Sequence, residues 1–298
     1  MSFDAPFLRQ TLLDAAKDGD LDTVVHTLDE GGASIANLID SVDAATGMTA
    51  LHHCCMRGFV DIVCYLVRHG AAVDALDHFN KTPLHHACHF GFPEVVFVLL
   101  DSGRVHVEKL YYMNAAKLTC LQTAAAKGHI TILRLLLLHG DVVDGVNSVG
   151  ETALHLAAAH NHLDIVDVLV SCGANPQQST TATGDTPLHY ACRAGSTEVA
   201  VYLVGLGQSI HDPNTDIVAE SALQLARQGR HSVLANAIVE KAYLDATAKA
   251  DADRVHAMRQ QKVHEMEAIR TYLKAMRHGE AAARANEALA AFPRLKHV

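Results

Sequence analysis

Histidine is the residue that first suggests chemistry, with 21 copies in 298 residues. The runs His52-His53-Cys54-Cys55 and His85-His86-Ala87-Cys88 set imidazoles beside thiols, the side chains that bind zinc. A zinc site needs such ligands to converge on one point, and these do not cluster: His52, His85, His155 and His189 recur once per stretch of the chain. Regular recurrence argues for a structural task and against a ligand role. Cys55, Cys88 and Cys192 share a slot that is Ala158 elsewhere, so they read as small apolar residues. The seven cysteines are odd in number and contain no Cys-x-x-Cys spacing, which argues against a disulfide framework and for a reducing compartment. No nucleophile motif, phosphate loop or His-Glu-x-x-His helix is present. The expectation is a chain with no catalytic residues, no metal and no cofactor.

What positions these histidines is a repeat. Thr49-Ala-Leu-His52, Thr82-Pro-Leu-His85, Thr152-Ala-Leu-His155 and Thr186-Pro-Leu-His189 are near-copies, and Thr119-Cys-Leu-Gln122 and Ser221-Ala-Leu-Gln224 are weaker ones. A degenerate first copy, Leu12-Leu13-Asp14-Ala15-Ala16, puts Gln10 in the Thr position. Twenty-one residues after each of the first six starts stands a glycine: Gly31, Gly70, Gly103, Gly140, Gly173 and Gly207. Between starts the spacing is 39, 33, 37, 33, 34 and 35 residues. Length therefore varies only between that glycine and the next start, as expected if packed helices are fixed and loops absorb insertions. Each Thr suits an N-cap and the following Pro suits the first helical position. Gly58, Gly91, Gly128 and Gly195, with Asn161 in unit five, end the first helix in a left-handed turn. An amphipathic second helix follows, as in Val60, Ile62, Val63, Leu66 and Val67.

Residues 8–241 resemble the ankyrin repeat, whose signature is Thr-Pro-Leu-His-x-Ala. The resemblance implies an all-α curved solenoid of seven helix pairs with hairpin-like fingers between units, its first and last units degenerate because one face must meet water. It also implies that finger tips and the exposed side of each first helix line a concave binding face. By register, that face carries Met48, Met56 and Arg57 in unit two; His78, Phe79, Lys81, His89 and Phe90 in unit three; and Leu118 in unit four, with Tyr111 and Tyr112 in the lengthened finger before it. Aromatic and Met side chains beside Arg and Lys are typical of interface hot spots.

Charge divides the chain in two. Residues 241–298 hold 11 of the 24 Lys+Arg and 7 of the 33 Asp+Glu, a net of +4, which leaves −13 on the rest. An acidic body argues against nucleic acid as partner. No apolar run reaches the length of a membrane span, and the first ten residues lack a secretory pattern, so a cytoplasmic protein is expected. From Arg230 to His278 there is neither Gly nor Pro, which predicts a long helix, broken at Gly279 and followed by a short final one. A near-heptad stripe of Val255, Met258, Met266, Ile269, Leu273 and Met276 runs along it, interrupted by Lys262. The stripe predicts a helix-on-helix contact, either back onto the solenoid end or onto a second protein. The boundary between solenoid (1–241) and helical tail (242–298) is drawn there. The functional expectation is an adaptor or scaffold that binds one protein on its concave face and another through the tail. The alternative is a fixed subunit of a cytoskeletal or ciliary assembly.

Overall fold

The computed structural model describes residues 5–32, 35–105, 118–212, 214, 221–247, 260–264, 266, 267 and 269. Seven helix pairs follow one another: Ala5–Asp18 with Leu21–Gly31, Ala50–Arg57 with Val60–Arg68, Pro83–Phe90 with Pro93–Asp101, Cys120–Lys127 with Ile130–Leu138, Ala153–Ala159 with Leu163–Ser171, Pro187–Ala194 with Thr197–Gly205, and Ala222–Gln228 with Ser232–Thr247. An extra short helix, Ile35–Ile39, accounts for the long first spacing. First helices stack on first helices and second on second, so the chain builds two layers unit by unit. One core runs from Leu8 in unit one to Ile238 in unit seven.

The Thr-x-x-His motif explains how each pair starts. The Thr49 N–H donates to His52 Nδ1 at 3.1 Å, which leaves Nε2 to carry the proton and meet the Lys81 carbonyl at 3.1 Å, one unit on. His155 does the same between Thr152 and the Asp185 carbonyl, and His189 between Thr186 and the Asp212 carbonyl. Gln122 copies the arrangement with an amide: its Oε1 accepts from Thr119 N–H, and its Nε2 donates to the carbonyls of Gly145 and Glu151. These side chains cap a helix and tie down the next finger at once, which is the structural task expected of them. Burial, reinforced by the neighbouring His86, pushes His52 down to about 4, so the ring is neutral at pH 7.

The left-handed turn is equally constrained. Gly128 has φ 81°, and a Cβ there would come within 2.8 Å of the His162 ring of the next unit. His162 Nε2 lies 3.2 Å from the Ala126 carbonyl, so the ring closes the turn that the glycine opens. Asn161 takes the left-handed conformation in unit five, as expected. In unit seven Gly229 is not left-handed; Arg230 is, which keeps the nine-residue register from Ser221. Leu51, Leu84, Leu154 and Leu188 are all buried. Among the described residues the fingers are turns, with an antiparallel bridge between Val42 and Thr49. No helix of the described residues is long and apolar enough to cross a membrane.

Candidate protein-binding surface

The finger between units two and three is built around one carboxylate. Asp77 is buried; its Oδ1 accepts the N–H groups of Phe79 and Lys81, both at 2.8 Å, and its Oδ2 meets His86 Nε2 at 2.9 Å. Burial alone would raise the Asp77 pKa, but the Lys81 N–H, the His86 ring and the Phe79 N–H outweigh it and hold the carboxyl below its usual value. With Asp77 turned inward and Asn80 in a left-handed turn, Phe79 is thrown out at the tip, 55% exposed. His78 is tied back to the preceding finger, its N–H donating to the Thr46 carbonyl at 2.9 Å. Asn147 repeats this design in the finger between units four and five, accepting from the N–H groups of Val149 and Glu151 and leaving Val149 exposed.

Beside the Phe79 tip lie the ends of the first helices. Phe90 is 47% exposed, His89 and Met56 are half-buried, and Arg57 and Lys127 are exposed. His89 is held below its ordinary pKa by burial and then by Lys127, Lys81, His86 and His129, which places it in a locally positive field. His78 is also exposed, and Lys81 and Leu118 are half-buried. Met48 departs from the expected face: it is only 6% exposed. Its position, the residue before the capping Thr, is the base of the finger at the seam between units, where the carbonyls of Lys81, Glu151 and Asp185 are bonded across by the preceding unit. An apolar chain there turns inward. Tyr111 and Tyr112 lie outside the described residues.

Under this surface is a feature that register alone did not single out. One position after the capping His or Gln stand His53, His86 and Thr123, where units five and seven have Leu156 and Leu225. All three are buried, and both ring nitrogens of His53, Nδ1 of His86 and Oγ1 of Thr123 have no hydrogen-bond partner. Burial, with help from Lys17, pushes His53 down to about 4. The signal was available in the sequence as polar residues in a slot that is Leu in units five and seven. The buried cysteines are inert for a related reason: burial drives Cys54 and Cys192 up to about 12 and Cys55 and Cys120 well above the usual thiol value.

A second surface involves the tail. Lys262, which interrupts the apolar stripe, sits 2.9 Å from Asp167 on the second helix of unit five. Asp167 also accepts from the Tyr202 hydroxyl of unit six at 2.8 Å. Val263 and Met266 face Leu138, Val168 and Cys172 across a cleft of about 300 Å³. This part of the tail therefore lies along the second helices of units four and five, not over the solenoid end, and Ile269 is half-buried there. Val255, Met258, Leu273 and Met276 lie outside the described residues, as does the expected final helix.

Comparison with known proteins places this geometry. Profiles described as ankyrin repeats (3 copies) match residues 12–109 and 105–180, and an ankyrin repeat profile matches 183–215. The mouse (Mus musculus) fem-1 homolog A-like protein is 36% identical over 225 residues, 74% of this chain and 33% of that protein. The ankyrin repeat domain of Bcl-3, in crystal, superposes with TM-score 0.64 at 27% identity, covering 76% of this chain and 97% of that one. The human ASB11 ankyrin repeat domain gives TM-score 0.65 at 27% identity, covering 77% and 96%. The chain spans about a third or less of the length of the curated relatives it matches. Ankyrin repeat domains are in general non-catalytic protein–protein interaction modules, and with this motif, register and stacking the chain belongs to the ankyrin repeat family.

Proposed function

We propose that the chain is a non-catalytic adaptor that grips a protein partner on the finger face of units two to four and uses its C-terminal helix as a second contact element. The observation that carries this is the exposed pair Phe79 and Phe90 flanked by Arg57 and Lys127. Isolated apolar side chains on a surface mean little, but aromatic and cationic groups together on one face form the composition of binding hot spots. The buried polar atoms of His53, His86 and Thr123 support the reading, because a chain selected for stability alone would fill that slot with Leu, as units five and seven do. Met56, His78, Lys81, His89 and Leu118 frame the site.

Crosslinking mass spectrometry on the full chain in cells tests this, with crosslinks expected at Lys81 and Lys127. Once the partner is in hand, Phe79→Ala and Phe90→Ala should each weaken it by more than about 1 kcal/mol with folding unchanged. Undiminished affinity in both variants would move the site elsewhere on the solenoid.

A further inference from the structure

The finger face of units two to four has an electrostatic character opposite to that of the body carrying it. Residues 1–240 have a net charge of −13, yet Arg57, Lys81 and Lys127 stand on this face and, among the described residues, none of them makes an ion pair. Acidic groups around the same face are already engaged. Asp77 is held by two N–H groups and the His86 ring. Asp43 is held by Lys17 and the Ala45 N–H. Glu151 accepts from Asn147 and Tyr190, and Asp185 is bonded by Arg193, Asn214 and Thr183. His89 lies in the field of Lys127 and Lys81. Among the described residues, these four anions are spent locally and the three cations are not.

Resting on the binding role proposed above, we infer that the partner segment captured here is an acidic extended peptide, with two carboxylates flanking one large apolar residue. Spacing follows from the repeat. Arg57, Phe90 and Lys127 occupy the same position, eight residues after the start, in units two, three and four. Stacked helices lie about 8–10 Å apart, so Arg57 and Lys127 are separated by roughly 16–20 Å, with Phe90 midway. An extended chain covers that distance in about five or six residues. The matching pattern is a carboxylate, an apolar residue about three positions on, and a second carboxylate about three beyond that. The two ammonium and guanidinium groups then meet the acids, and Phe90 with Phe79 meets the apolar side chain. The basic segment 241–298 is excluded as the occupant by its own net charge of +4. A nucleic acid would have to bring a dense row of phosphates against the acidic body to reach three cations.

The experiment is a random dodecapeptide display selection on the full chain, run on the natural protein, on Arg57→Glu/Lys127→Glu, and on Phe79→Ala/Phe90→Ala. On the natural protein the selection should enrich peptides with acids about six positions apart around a central apolar residue. The best of these, made synthetically, should lose at least about tenfold in affinity in the charge-reversed variant and weaken steadily with added salt. Enrichment of basic or uncharged peptides that still depend on Phe79 and Phe90 would overturn the acidic partner while leaving the binding surface intact. Peptides indifferent to the Phe79→Ala/Phe90→Ala change would overturn the surface itself. Displacement of the peptide by an equal charge concentration of single-stranded oligonucleotide would show a general polyanion site and overturn the peptide assignment.

Discussion

His53 shows at the scale of one residue how this chain departs from a stability optimum. Its ring is buried with neither nitrogen bonded, and such a group forfeits its hydration without compensation. His53→Leu, which copies Leu156 and Leu225, should therefore stabilise the chain by about 1–3 kcal/mol in denaturant unfolding. A loss of stability would mean that the ring has a packing role that Leu cannot reproduce. Asp141 is the acidic counterpart. It follows Gly140 in the slot that Ala71 and Ala174 fill after Gly70 and Gly173, one of its oxygens has no partner, and burial lifts it to about 7 despite the Val142 N–H. With the folded pKa above the unfolded value, the stability associated with the neutral acid is complete below about pH 4 and is lost as pH rises through 7. The melting temperature should fall between pH 5.5 and pH 8, and Asp141→Ala should remove most of that fall. Equal pH slopes in the two proteins would show that the carboxyl is better solvated than its burial indicates.

Among the elements, the tail segment carries the sharpest consequence. Lys262 anchors it to Asp167, and Val263 and Met266 stand across the cleft from Cys172. A single exposed or half-exposed ion pair is worth little alone, but here it is joined to apolar contact along two second helices. Lys262→Glu places like charges together and should release the segment. The readout is Cys172, already exposed beside the segment but with its thiol pushed up by the surrounding burial: its alkylation rate, followed by peptide mass spectrometry, should rise, while buried Cys55 and Cys120 stay unreactive. An unchanged Cys172 rate would show that the segment does not shield this face in solution. The outcome bears on the tail as a contact element, because a helix held by one ion pair and a partly filled cleft can be exchanged for another.

For the whole molecule, the repeat architecture decides how damage spreads. Leu154 is fully buried between units four, five and six, and Leu154→Ala should cost about 2–5 kcal/mol. Because each unit contacts only its neighbours, native-state hydrogen exchange should accelerate most in units four to six and least in unit one. A uniform acceleration from end to end would mean that the solenoid unfolds as one cooperative block. The same architecture distributes charge: the basic groups of units two to four, set on an acidic body, can orient an acidic segment only within about one Debye length, roughly 8–10 Å at physiological salt.

Much of this was legible without coordinates, and the reason is periodicity. Thr-x-x-His or its Gln variant and the two glycines of most units encode local geometry, a capping pair and a left-handed turn, so their recurrence along the chain specifies helix boundaries and register without reference to anything distant. The burial of Leu51, Leu84, Leu154 and Leu188 and the structural use of His52, His155 and His189 follow from that register. The binding face was legible only in outline. Register placed Phe79 and Phe90 outward, as they are, but it also placed Met48 outward, where the seam between units draws it in. Which polar groups go unpartnered depends on neighbours one unit away, so the column of His53, His86 and Thr123 shows only when the units are stacked. The stripe in the tail gave a helix a face but no address. Lys262 looked like a defect in that stripe because its partner, Asp167, lies about 95 residues earlier, and only tertiary structure brings two such positions within hydrogen-bonding distance.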